Sequence, residues 1–385
     1  MEPEIQSKPS VALLQRAIPH YRFPLFERLA EESRFKWIFY CAEHDQEIST
    51  GLPAPNLQEL DVKPIRNRRL WGPFLYQTGA KLYANQLAAF MCDLGWTLVS
   101  TPRYLVEARM RGIATIGWSK GIPQNPNARE SAMKRLHQKF MLWLCDVVVV
   151  YGKTSKEYFR ALGFPEERIF IAQNTIDTAK IASEFPSALA QRDKLLEYLP
   201  LRGRFVFGYM GGLLPRKKLE CVIEAFTGLR SAGLDAALVM VGGGPCEAAL
   251  RATVAANPYK ADIVIVGRVP VGEEGGYFQL FDAYLSFAEG GLGILEAMAH
   301  GRTVVSTPEK YPETELLADN ETALLANDFT VSAFSERMCF AVRHRDNLAA
   351  IGARARERVL REATLDNMIE AITSAVQCAI SRRRR

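Results

Sequence analysis

No Asp-x-Asp triplet occurs anywhere in the chain. The short acidic motif that most directly seats a divalent cation beside an anionic ligand is therefore missing, and no metal is expected. Seven cysteines are present, but the number is odd and no two show Cys-x-x-Cys spacing. That excludes a disulfide framework and a cysteine zinc site, and it fits a reducing compartment. No apolar run approaches the ~18 residues of a membrane span. The opening Met1-Glu2-Pro3-Glu4 has no apolar leader core, so a cytoplasmic setting is expected. No zinc finger pattern or RNA-binding aromatic signature is found, and nucleic acid is not an expected partner. There is no short-period repeat, and no low-complexity tract beyond the terminal arginines.

What remains is ordinary in bulk, with 48% apolar and 24% charged residues. A length of 385 residues exceeds what one core usually holds, and two domains are the default. The net charge of +5 is mild, but its placement is uneven. Arg66, Arg68 and Arg69 cluster beside Trp71, Lys134, Arg135 and Lys139 share a helical segment, and Arg382–Arg385 close the chain. Two readings stand: solubility with a frayed tail, or attraction to an anionic membrane surface. The second draws on the amphipathic pattern of Ala128–Cys145 and places the protein on the inner face of the plasma membrane.

Strand-like runs alternate with helix-like segments twice over. In the first half, Val11–Ile18, Phe35–Cys41, Thr97–Ser100, Ala114–Trp118, Asp146–Tyr151 and Arg168–Ala172 read as strands, with a helix over 24–32. The β-branched Asp146–Tyr151 run suits a strand buried on both faces. In the second half Phe205–Met210, Ala237–Val241, Ile263–Val266, Ala283–Ser286 and Thr303–Ser306 do the same. Such alternation predicts two parallel, doubly wound sheets. Thr178–Gly203, rich in Ala, Ser, Pro and charge, reads as the connection between them, and residues from about 347 onward read as helix. The predicted domains are 1–178, 179–360 and a terminal helix with basic tail, 361–385.

Open α/β sheets bind ligands at the carboxyl ends of their strands, so those junctions are where chemistry is sought. The first strand of the second half runs into Gly211-Gly212-Leu213-Leu214-Pro215-Arg216-Lys217-Lys218. Cations at a helix start oppose its dipole, which a bound diphosphate would explain; a solvated basic turn is the alternative. Gly242-Gly243-Gly244-Pro245 is tight turn geometry or a nucleotide cradle, without the full dinucleotide glycine fingerprint. Gly267 and Arg268 end the third strand. The fourth runs into Glu289-Gly290-Gly291-Leu292 and an apolar helix that carries Glu296. A carboxylate in that setting calls for hydrogen-bonded partners, such as ribose hydroxyls, unless it simply faces solvent. His20 follows the first strand and is either structural or catalytic, contacting the acceptor or stabilising the leaving phosphate. Tyr151-Gly152-Lys153 and Trp118-Ser119-Lys120 end other strands, and His44, His137 and His344 carry no functional assignment.

The segments GGLLPRKKLECVIEAF, LVMVGGGP, VIVGRV and AEGGLGILEAMAHGRTVVSTP resemble, in order and separation, the donor domain of retaining glycosyltransferases of family 4. Asn174-Thr175-Ile176-Asp177 resembles the Asn-Gly-Val-Asp element that closes the family's acceptor domain, and His20–Phe26 resembles the opening of members that build bacterial surface polysaccharides. The resemblance implies the GT-B fold: two Rossmann-like α/β domains facing each other across a cleft. It implies a metal-independent, cofactor-free transfer of a sugar from a nucleotide-sugar donor to a glycan or lipid-linked acceptor, with retention. Lys217 would neutralise the donor diphosphate, aided by Arg216. Glu296 would hold the ribose, and the backbone of Gly290, Gly291 and Leu292 would approach the phosphates or sugar. Gly211, Gly212 and Gly243 would border the donor, and Gly267 with Arg268 the nucleobase. Two departures stand out. Gly212 occupies the place of a family arginine. The family's first glutamate position is Ala288, and Glu289 would have to reach the sugar hydroxyls instead. These departures leave open a degenerate GT-B scaffold, and the architecture also serves sugar-nucleotide epimerases.

Overall fold

A computed structural model describes residues 8–42, 60–83, 86–121, 131–199, 201 and 203–384. His44, Ala128–Glu130 and Arg385 therefore lie outside the described residues. The chain divides into two compact units, one of residues 1–173 with 365–385 and one of 174–364.

The first unit holds β1 (Ser10–Leu14), α1 (Phe23–Glu31), β2 (Lys36–Cys41), β3 (Val62–Pro64), β4 (Arg66–Arg69), β5 (Leu75–Thr78), β6 (Leu87–Asp93), α2 (Thr101–Met110), β7 (Ala114–Ser119), α3 (Ala132–Leu144), β8 (Val147–Val150), α4 (Lys153–Ala161) and β9 (Ile169–Ile171). Its parallel sheet runs β3-β2-β1-β6-β7-β8-β9, and β4 and β5 form a separate antiparallel hairpin. The four valines of β8 are fully buried, as a central parallel strand requires. The sequence did not predict β6. Leu87–Asp93 contains no Val, Ile or Thr and Phe90 is its one strand-favouring residue, so β-propensity is weak there, yet its residues pair in parallel with both β1 and β7. The β-branched Thr97–Ser100 is instead a turn, in which Leu98 N–H donates to the Gly95 carbonyl at 3.0 Å.

The second unit holds α5 (Thr178–Tyr198), β10 (Phe205–Met210), α6 (Leu219–Ser231), β11 (Ala236–Val241), α7 (Glu247–Ala255), β12 (Ile263–Gly267), α8 (Glu274–Leu280), β13 (Ala283–Ser286), α9 (Leu292–Ala299), β14 (Thr303–Ser306), β15 (Ala323–Leu325), α10 (Val331–Arg343) and α11 (Arg345–Glu362). The sheet order is β12-β11-β10-β13-β14-β15, every pair parallel. The five strands predicted for this half are all present.

Two boundaries differ from the sequence reading. The supposed connection over 178–203 is mostly helix α5, capped by Asp177, whose carboxylate accepts from Lys180 N–H at 2.9 Å. It packs on α8 where Gly275 and Gly276 lack side chains, and a Cβ there would lie 2.9 Å from Ala188 and 2.6 Å from Gln191. The unit boundary thus falls at 173/174 rather than 178/179. The terminal α12 (Leu365–Arg383) is not a segment apart. Met368, Ile372, Ala375, Val376 and Ala379 bury into the first unit's core beside Val147 and Val149.

Candidate active site

In the second sheet the strand order reverses between β10 and β13. The loops leaving the carboxyl ends of these two strands flank the switch point, where open α/β sheets bind ligands. They carry Gly211–Lys218 and Phe287–Leu292, so topology brings together the two segments that carry most of the predicted site.

The contacts between them converge on Glu289. Lys217 Nζ donates to the Glu289 carbonyl, and Arg216 Nε pairs with Glu289 Oε2 at 2.9 Å. Glu289 N–H donates to Glu309 Oε1 at 2.7 Å, and Gly290 N–H reaches Glu309 Oε2 at 3.4 Å. Glu289 has φ +46°, a left-handed conformation that a non-glycine residue adopts at a cost. Its carboxylate is turned to Arg216. Arg216 is correspondingly engaged, and Gly290 N–H has an internal carboxylate as acceptor. Gly291 and Leu292 open α9, where first-turn N–H groups lack helical partners. Lys218 turns away, with Nζ 4.8 Å from the Phe329 ring.

Glu309 was missed. It lies in the loop after β14, a strand-to-loop junction like the others, and that position was the available signal. Burial pushes its carboxyl up, opposed by the two backbone N–H donors and by Lys217.

Glu296 lies on α9, between the buried Leu295 and Ala297. Its carboxylate makes no protein hydrogen bond among the described residues, and burial, reinforced by Glu274, raises its pKa to about 7. A half-buried acid of this kind is suited to accept from ligand hydroxyls. Helix α9 comes close to the sheet at Gly293, where a Cβ would lie 2.4 Å from Tyr284 Oη and 3.0 Å from the Met210 carbonyl. The Tyr284 hydroxyl donates to that carbonyl at 3.0 Å.

The glycine turns prove to be tightly interlocked. Gly242 sits against the Gly211 carbonyl, which a Cβ would approach to 1.9 Å. Leu213 N–H donates to the Gly243 carbonyl at 3.1 Å, and Gly242 N–H to the Gly267 carbonyl at 2.8 Å. Arg268 lies over Gly243, its Nε 2.7 Å from where a Cβ would be. The Tyr209 hydroxyl donates to the Gly212 carbonyl at 3.0 Å. Packing thus accounts for Gly242, Gly243 and Gly244, while Gly212 is exposed and crowded only by Leu214.

His20 belongs to the first unit, in the short turn His20–Arg22 after β1. Its ring meets Tyr21 edge-on at 5.6 Å, and burial lowers its pKa. The Arg22 guanidinium lies over Tyr151 and Trp118, at 4.9 and 5.4 Å.

Two doubly wound sheets in one chain, with cations and an unpaired carboxylate at the second sheet's switch point, define an α/β protein of the GT-B fold. Solved structures match nearly end to end. The Anabaena protein HepE in complex with UDP has a TM-score of 0.74 at 14% identity, over 96% of this chain and 99% of its own. Sucrose-phosphate synthase from Thermosynechococcus elongatus has 0.73 at 14% identity, over 97% and 100%. Residues 204–344 match the family model "Glycosyl transferases group 1". A curated relative, the GDP-mannose-dependent alpha-(1-6)-phosphatidylinositol monomannoside mannosyltransferase of Mycobacterium tuberculosis, is 26% identical over 270 residues. The match covers 66% of this chain and 64% of the relative, so the chain spans just under two thirds of that protein's length.

Proposed function

We propose that the chain transfers a sugar from a nucleoside-diphosphate sugar to a glycan or lipid-linked saccharide, with retention and without a metal or other cofactor. The observation that carries this reading is the placement of Arg216, Lys217 and the α9 amino terminus around one point, with Glu296 unpaired on the same helix. As the bond between sugar and diphosphate breaks, negative charge grows on the leaving phosphate. Fixed cations and free helix N–H groups aimed at that charge lower the barrier. In this reading Lys217 exchanges the Glu289 carbonyl for a phosphate oxygen, and Glu296 accepts from the ribose hydroxyls. Gly267 and Arg268 border the base, and His20 is assigned to the acceptor side. A cell-surface polysaccharide product fits this chemistry.

A peripheral position at an anionic membrane surface belongs to the same reading. No helix among the described residues is long and apolar enough to cross a membrane.

Turnover of UDP-, GDP- and ADP-sugars, followed as release of the nucleoside diphosphate with and without saccharide acceptors, tests the proposal. One donor should be consumed faster when an acceptor is present. Release of an isomerised sugar without acceptor would mark an epimerase. A second reading, a non-catalytic scaffold, is favoured by the Arg216–Glu289 pair and by Gly212; in that case no donor is consumed.

A further inference from the structure

Helix α3 presents an unusual outer face. Met133, Leu136, Phe140 and Trp143 are 70%, 69%, 44% and 69% exposed. Spacings of three, four and three residues set them in one stripe, while Met141, Leu142 and Leu144 take the opposite side into the core. The helix contains no acid, and Lys134, Arg135 and Lys139 accompany the stripe.

This stripe continues into other elements. The His137 ring meets Trp96 at 5.2 Å, Trp96 meets Phe74 at 5.8 Å, and Phe74 meets Trp71 at 4.7 Å. That chain of rings leads to the turn of the β4–β5 hairpin, where Trp71 is 71% exposed beside Arg68 and Arg69. At the other end of α3, the Arg109 guanidinium lies 5.8 Å from the Trp143 ring. Arg383 in turn donates to the Arg109 carbonyl at 2.6 Å. Three basic clusters far apart in sequence are therefore joined along one aromatic seam of the first unit.

We propose that this surface docks the protein on an anionic phospholipid bilayer, with α3 lying in the headgroup plane and Trp71 beside it. Exposed aromatic and aliphatic side chains on a basic helix are suited to that plane. Each lysine or arginine near anionic headgroups strengthens binding about five-fold at moderate salt. The proposal deepens the membrane part of the proposed function, and it stands apart from the donor site in the other unit.

The test is flotation of the full chain with vesicles of phosphatidylcholine alone, or with about a third phosphatidylglycerol. The wild type should float with the anionic vesicles at low salt and be released from them as salt rises. Combined Leu136→Ser, Phe140→Ser and Trp143→Ser should reduce flotation at least ten-fold, with nucleoside diphosphate binding unchanged. Because these side chains are exposed, folding should hold. Combined Lys134→Gln, Arg135→Gln and Lys139→Gln forms a second, independent variant, expected to lose most of the salt-sensitive binding. Failure of the wild type to float, or undiminished flotation of the apolar variant, overturns the proposal. So does a dimer in sedimentation velocity that the apolar variant abolishes, since the face would then be an interface between copies. Absence of donor turnover by the wild type, with its flotation intact, would instead count against the sugar-transfer reading alone.

Discussion

Arg216 and Glu289 form an ion pair, Nε to Oε2 at 2.9 Å, between the loop that follows β10 and the loop that follows β13. The arginine is more than half exposed and the carboxylate is mostly covered, so the pair contributes little to stability. Its consequence is for binding. Replacing Glu289 by Ala frees Arg216, and affinity for a nucleoside diphosphate should rise several-fold while turnover falls. Calorimetry paired with turnover assays checks this; unchanged affinity would mean that Arg216 does not meet the diphosphate.

Lys217→Ala removes the ammonium that holds the Glu289 carbonyl. Loss of one preorganised donor to developing charge typically costs about 10²–10³ in kcat. Turnover should fall by that order, and nucleoside diphosphate binding should weaken with it.

Glu296 gives a pH signature. Its folded pKa of about 7 stands above the ordinary 4.5. On unfolding, the acid releases its proton at lower pH than the native state does, so its contribution to stability declines as pH rises from about 4.5 to about 7. Glu296→Gln should flatten that part of the Tm profile and make the protein relatively more stable above pH 7. The ionised carboxylate is the stronger acceptor for ribose hydroxyls. Wild-type affinity for a nucleoside diphosphate should therefore rise between pH 6 and 8 more steeply than that of the Gln variant, which retains only the titration of the phosphate.

Gly212 is exposed, and a Cβ there would meet only the Leu214 side chain, at 3.2 Å. Gly212→Arg should fold and should add a cation to Arg216 and Lys217, tightening nucleoside diphosphate binding by up to about ten-fold. Thermal shift with and without ligand reads both effects.

Gly293→Ala would push a methyl into Tyr284 Oη and the Met210 carbonyl. Overpacking of this kind costs about 1–3 kcal/mol, visible as a lowered denaturation midpoint.

Much of the second unit was legible in the sequence. Its five predicted strands are β-branched or aromatic apolar runs, and the loops after them carry the candidate site residues. The first unit was read less well. The central strand β6 is built from Leu, Ala, Phe, Met, Cys and Asp, of which only Phe90 favours a strand, and its identity comes from pairing on both sides. Helix α5 was hidden by Pro186, which lies inside it. The positions of Lys217 and Glu296 followed from their motifs. The role of Glu289 did not, because its left-handed backbone and its three partners, Arg216, Lys217 and Glu309, depend on loops that only the folded chain brings together. The interlocking of the glycine turns was hidden for the same reason.

The most direct measurement is titration calorimetry of UDP, GDP and ADP into the wild-type chain and into its Lys217→Ala and Glu296→Gln variants. One nucleoside diphosphate should bind at a single site per chain, with both variants roughly ten-fold or more weaker. Absence of binding by all three, or equal affinity across the three proteins, would contradict a diphosphate site at the amino terminus of α9.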